Sequence, residues 1–391
     1  MTSPGSWSAP NRPGRTWRVP PALVHDPGDA LEGLGVLNER GGGPLSVVLW
    51  QVAREVLLWA QAGERAGLFA RSAYGARLGV LRSLETPPEL EPLLRGIAEA
   101  VLVAPETAEP EHVARLCRRV SDWAMGRGAG ETSLMYAQAA ALAVPGDAGL
   151  ALHAGGIGLR LGRLQRAESW LLRAVALARK RDWNTYGLAY LDLARAAELR
   201  GNRIAARRRL VIALRAGRRW GLREVRGRAL HGLLRLALDD GALSDAGRYA
   251  RAAERYVGIG HPERPALDAD RAALYVATGE TPRALLLLRD LLRVAVEPER
   301  RMFLLALQAE AYGSEGRAEG RSVAHLAEAW SSAWSLASGE DGGELRVRAL
   351  LALARAARAA GELRRAHAAE EAARAAARGP LDRWLLERYE D

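Results

Sequence analysis

The sequence predicts an all-α chain, a right-handed α-solenoid of stacked antiparallel helical hairpins. Three observations predict it. From Pro44 onward apolar residues recur at three- and four-residue spacings, as in Val48, Val52, Val56 and Trp59. Alanine, leucine and arginine dominate the pattern, and all three are strong helix formers. No stretch alternates β-branched and polar residues between hairpin turns, as a strand would. A repeat then gives the architecture: glycine returns at Gly128, Gly162, Gly201, Gly241, Gly279, Gly316 and Gly361.

Taken in chain order, residues 1–43 stand apart. They hold Pro4, Pro10, Pro13, Pro20, Pro21 and Pro27 and close on Gly41-Gly42-Gly43, so regular structure is expected to be sparse. A short helix from Asp29, its cap, to Leu37 is predicted. Trp7, Trp17, Leu31, Leu34 and Val36 give this arm apolar anchors with which to lie along the protein. Residues 44–112 are predicted as amino-terminal helical layers, with helices over 44–62, 64–84 and 88–103.

Residues 113–380 carry the repeat. Seven residues before each glycine stand Ser121, Gly155, Ala194, Leu234, Ala272, Ala309 and Ala354. Five after it come Ser133, Ala167, Ala206, Ala246, Ala284, Arg321 and Ala366, and twelve after it Ala140, Ala174, Ala213, Ala253 and Ala373, with Leu291 and Glu328 departing. Two antiparallel helices that cross at a tight turn need small side chains at the crossing, and glycine supplies the left-handed residue that ends the first helix. One hairpin cannot bury its own apolar face, so hairpins stack. Residues 381–391 (LDRWLLERYED) read as a capping helix with Trp384, Leu385 and Tyr389 on one face.

At these stations the chain resembles the tetratricopeptide-repeat family. The clearest unit runs from Ala148 to Arg181 and carries Gly155, Gly162, Ala167 and Ala174; residues 347–380 match again through Ala354, Gly361, Ala366, Ala373 and Pro380. Most intervals exceed the family's 34 residues and the unit around Gly316 is irregular. The resemblance implies a non-catalytic interaction scaffold in which the first helix of every hairpin lines a concave groove. On that basis Arg160, Arg195, Arg228, His231, Arg235, Arg348, Arg355 and Arg358, with Glu198 and Glu310, are expected to face inward. Guanidinium forks bind carboxylates bidentately, so an acidic or carboxylate-terminated protein or peptide is the expected partner. The lysine and asparagine pairs of the family's chaperone-binding members are missing.

Charge adds a second theme. The 391 residues hold 56 basic and 46 acidic side chains, a net charge of +10, and Lys180 is the only lysine. Such a skew resembles a coding bias toward arginine. Ten of the arginines fall between Arg203 and Arg228 against one acid, Glu224. Arg208, Arg215 and Arg219 share one helical line opposite Ala206, Leu210, Ala213 and Leu214. Two readings stand: the solvated face of a helix in an arginine-biased chain, which composition favours, and a basic patch for nucleic acid or an acidic tail. The second reading would make the protein a regulatory repeat protein linked to transcription.

Catalytic and cofactor signatures are not found. There is no HExxH, CxxC or GxSxG, and the single Cys117 excludes a disulfide within the chain. The segment from Gly126 to Ser133 looks like a phosphate loop but lacks its lysine and lies between helices. Gly155-Gly156-Ile157-Gly158 has dinucleotide-like spacing inside a helix, where close packing accounts for it. The seven histidines never stand three or four apart, so no helical metal pair forms. His231 is expected to be exposed or hydrogen-bonded, and Cys117 a buried, inert thiol. No run of 18 apolar residues predicts a membrane span. Met1 to Arg15 does not read as a secretion signal, and a cytoplasmic location is the expectation.

Overall fold

The computed structural model describes residues 34–39, 43–61, 75, 79, 86–258, 260–295, 297–314, 320–339 and 345–390. The helix predicted over 64–84, apart from residues 75 and 79, the Asp29 cap and the Gly316 turn lie outside them, as does the Arg321 side chain. All regular structure among the described residues is helical. Contacts divide the chain into two compact units, 1–196 and 197–391.

The first unit begins with α1 (Leu34–Asn38) and α2 (Pro44–Gln61). The predicted 88–103 helix is α3 (Glu91–Ala98) followed by one π turn, Glu99–Val103. Then come the hairpins α4 (Pro110–Gly126) with α5 (Gly130–Ala143), and α6 (Ala148–Arg160) with α7 (Leu164–Ala178). Helix α2 packs on α5, and its fully buried Trp59 donates to Pro105 O at 3.0 Å. Buried Tyr136 returns a bond to Leu49 O at 2.9 Å. The division between units falls inside α8 (Trp183–Leu199), whose start is capped by Asp182: its carboxylate accepts from Asn184 N and Thr185 N, both at 3.0 Å.

The second unit continues with α9 (Arg203–Arg219), α10 (Arg223–Asp239), α11 (Leu243–Glu254), α12 (Arg264–Ala277), α13 (Thr281–Val294), α14 (Pro298–Ser314), α15 (Gly320–Ala337), α16 (Leu345–Ala359), α17 (Leu363–Ala376) and α18 (Pro380–Glu390). Consecutive helices pack as hairpins, and first helices of successive hairpins also pack on one another, α10 on α12, α12 on α14 and α14 on α16. This is the layering expected of an all-α solenoid.

The turns repeat one chemistry. Gly162 has φ +70°, Arg163 N reaches back to Gly158 O at 2.8 Å, and Gly162 N bonds Leu159 O at 3.1 Å. That pair of bonds satisfies carbonyls left open where α6 ends. The six-residue bond recurs from Ala129, Asn202, Ala242, Glu280 and Glu362, each just after a left-handed glycine. The same turn also occurs at Gly221, between α9 and α10, away from the repeat glycines: Leu222 N bonds Gly217 O at 3.0 Å.

The small stations are the buried crossings. Ala167, Ala206, Ala246, Ala284, Ala174, Ala213, Ala253 and Ala373 are each 0% exposed. A Cβ on Gly155 would stand 2.7 Å from Leu171 Cγ, and one on Gly158 would touch the Ala167 backbone at 3.4 Å. Close packing therefore explains the glycine run of α6. In the first repeat the stations are serines, and Ser121 Oγ donates to Ser133 O at 2.8 Å across the crossing. The terminal helix α18 lies on α16 and α17 through Leu385, Leu386 and Tyr389.

Candidate functional site

The first helices of the second unit carry the residues expected in the groove, and they meet one another. Arg235 on α10 places Nη2 2.5 Å from Glu198 Oε2 on α8. One turn earlier, His231 Nε2 lies 2.8 Å from Asp270 Oδ2 on α12. Asp239, at the end of α10, receives Arg348 from α16 on both carboxylate oxygens, with Nη2 at 2.8 Å from Oδ2. Arg203 Nη1 adds a contact to the same oxygen at 3.2 Å. Arg355 forks onto Glu310 of α14 at 2.5 and 2.9 Å. Arg358 Nη2 pairs with Glu370 at 2.6 Å, and Arg228 Nε with Glu263 at 2.9 Å.

These contacts form a ladder of charges between hairpins. The Asp239 side chain is only 4% exposed. Burial alone would raise its carboxyl, but Arg348, then Arg203 and Arg235, outweigh burial and hold it below the usual carboxylate range. Burial would likewise lower Arg348, yet Asp239 and, behind it, Asp270 and Glu198 raise it. His231 is buried and hydrogen-bonded.

The arginines expected in the groove of this unit therefore already bind carboxylates, and those carboxylates are the protein's own. Arg355 and Arg358 still leave 46% and 52% of their side chains exposed while paired. In the first unit Arg160 is exposed at the end of α6, and Arg195 is half-buried on α8.

The arginine cluster divides in two. Arg203 and Arg207 turn inward to Asp239 and Asp240, and Arg203 also lies 3.8 Å from the centre of the Trp384 ring. Arg208, Arg215, Arg218 and Arg219 point outward and make no ion pair among the described residues. Ala206, Leu210, Ala213 and Leu214 are buried on the opposite side, as their spacing predicts. Guanidinium groups also lie over rings here: Arg219 over Trp220 at 5.4 Å, Arg223 and Arg226 over Tyr256 at 5.7 and 4.3 Å. Tyr256 lies outside the 203–228 segment and has no signal in its sequence spacing.

Two constellations resemble sites and have structural roles. Ser121, His153 and Asp122 converge in the first unit, but the single His153 Nε2 faces both Ser121 Oγ (3.3 Å) and Asp122 Oδ1 (3.7 Å). One nitrogen cannot take a proton from the serine while being oriented by the aspartate, so the relay of a nucleophile triad is not built. Ser121 Oγ is also buried and donates to a carbonyl. The segment resembling a phosphate loop is the start of α5, and it already holds an anion. Glu39 follows α1 and presents its carboxylate to Glu131 N, Thr132 N (2.9 Å) and Thr132 Oγ1 (2.7 Å). No feature of the sequence links Glu39 to that helix. Cys117 is fully buried, and burial pushes its thiol well above the ordinary range. Among the described residues no group of histidine, cysteine and carboxylate side chains could hold a metal ion, and no helix is long and apolar enough to cross a membrane.

No known family and no curated protein matches this sequence. Among solved structures, the chain is similar to the tetratricopeptide-repeat domain of P58(IPK). The two are 14% identical over 83% of this chain and 85% of that one, with a TM-score of 0.31.

Proposed function

We propose that the protein is a non-catalytic scaffold that holds a protein or peptide partner against the first helices of its hairpins. The partner side presented to those helices is acidic. Arg355 and Arg358 carry this reading: each is fixed by a carboxylate of its own chain yet stays about half exposed, so the outer N–H edge of a pre-oriented guanidinium is offered to a second anion. Arg160 supplies an exposed charge on the corresponding helix of the first unit. The deeper arginines, Arg235 and Arg348, serve the scaffold by holding its helices in register. Arg195, Arg228 and His231 belong with them as groove-lining residues.

The test is affinity purification from lysate in nuclease, comparing the wild-type chain with Arg160→Glu and with the pair Arg355→Glu and Arg358→Glu. A defined set of proteins retained by the wild type and lost from the variants, with helicity unchanged, supports the reading. Retention identical in all three removes these arginines from the interface.

A further inference from the structure

We propose that the edge of the second unit formed by the α9–α10 turn and the end of α11 binds single-stranded nucleic acid. This goes beyond the scaffold reading and uses different residues. Three observations converge on that edge. The first is uncompensated charge. Arg218 and Arg219 end α9, Arg223 begins α10, and Arg255 follows α11; all four are exposed. Arg223 Nη2 donates to Arg255 O at 3.3 Å, which ties the two turns together. Of the acids nearby, Glu254 pairs with Arg271 at 2.9 Å, and the exposed Glu224 faces Arg228 at 3.6 Å, one acid against these four arginines.

The second observation is aromatic. Trp220 sits at the tip of the turn with 42% of its surface exposed, and Arg219 lies over its ring. Tyr256 carries the Arg223 and Arg226 guanidinium groups over its ring. Rings bordered by guanidinium planes provide stacking surfaces for bases, and the outward N–H edges of the same arginines suit phosphates. The third is the contrast within one segment. Arg203, Arg207 and Arg228 are satisfied by Asp239, Asp240 and Glu263, whereas the exposed face of α9 continues the charge through Arg208 and Arg215 with no ion pair to either among the described residues.

The rings decide the class of polyanion. An acidic peptide would use the charges and ignore an exposed indole, and a duplex hides its base faces within the stack. A single strand offers phosphate and base together, in the alternation that this edge presents.

The measurement is fluorescence anisotropy with labelled oligo(U) and oligo(dT) of about 15 nucleotides, a duplex of equal length and a polyglutamate peptide, each titrated across salt. Both single strands are expected to bind more tightly than the duplex or the peptide, and the RNA and DNA arms show whether the sugar matters. Reversing Arg218 and Arg219 to glutamate lowers the salt slope by about 0.7 for each phosphate that is no longer neutralised. Trp220→Ala weakens single-strand binding about tenfold or more, while Arg283→Glu, at an exposed position of α13, leaves it unchanged. Equal binding of the polyglutamate peptide or of duplex, unaffected by Trp220→Ala, overturns the proposal. So does failure of the folded wild-type chain to retain single strands at low salt.

Discussion

Arg348 and Asp239 stand 109 residues apart and meet as a forked ion pair, Nη2 to Oδ2 at 2.8 Å, in the interior of the second unit. Removing Asp239 leaves Arg348 without its carboxylate, and removing Arg348 leaves Asp239 to Arg203 alone. Arg348→Met is expected to destabilise that unit by about 3 kcal/mol, less to the extent that Arg203 still neutralises Asp239. The double change Arg348→Met with Asp239→Asn should recover part of the loss, and chemical denaturation of the four-member cycle measures the coupling. Acid gives an independent readout. The folded carboxyl lies below its unfolded value, so its contribution is complete above the unfolded pKa and is lost as pH falls through the folded one. Asp239→Asn should flatten that acid limb.

His153 sets a second pH response, in the first unit. Burial, the largest influence, lowers it; Asp122 partly opposes, and Arg118 and Arg160 reinforce. The unfolded chain therefore binds the proton more readily as pH falls through the ordinary histidine range of about 6.5. Stability of this unit should decline from there down to the folded pKa and then level. A thermal melt series between neutral and mildly acidic pH shows it, and His153→Gln removes it.

One close backbone approach between helices is open to a one-methyl test. A Cβ on Gly313 of α14 would lie 2.8 Å from Ala356 O and 3.1 Å from Ala356 Cα on α16, which are backbone atoms that cannot swing aside. Gly313→Ala should cost about 1–3 kcal/mol in denaturation, against the usual gain from alanine in a helix.

Lys180 follows α7 at φ +67°, a conformation held elsewhere in the turns by glycine. Lys180→Gly should stabilise the first unit by about 1 kcal/mol by relieving the Cβ contact, measured as a raised denaturation midpoint.

Glu39 caps α5 from a distant segment. Glu39→Ala leaves the first N–H groups of that helix without a carboxylate, at a cost of about 1–2 kcal/mol. Limited proteolysis should then cut near the Gly41-Gly42-Gly43 run faster than in the wild type.

The hairpins are legible in the sequence because sterics act one position at a time. A crossing helix tolerates only a small side chain, so Ala167, Ala206, Ala246 and Ala284 mark the crossings directly. Pairing of charges leaves no such mark. Asp239 looks like a surface acid in the sequence, the inward position expected of Glu310 does not name its arginine, and nothing within a few residues of Arg348 announces its partner across the fold. The arginine-rich composition hides the same point from the other side, since paired and unpaired arginines are spelled alike. Glu39 and Tyr256 escape the sequence for a related reason: each matters through a neighbour brought to it only by folding. Of the helix expected over 29–37, the described residues hold Leu34–Asn38 as α1, and the rest lies outside them.

In an ideal repeat array each layer speaks only to the next, and stability is a sum of nearest-neighbour terms. The second unit departs from that rule. Arg348 joins α16 to α10 past two intervening hairpins, and α18 returns to the start of α9, with Trp384 over Arg203 and Pro380 against Gly201. Such long-range closure couples the first layer to the last, so this unit should not fray from one end or tolerate trimming by a repeat. It should melt as one cooperative body, more like a globular domain than a string of beads.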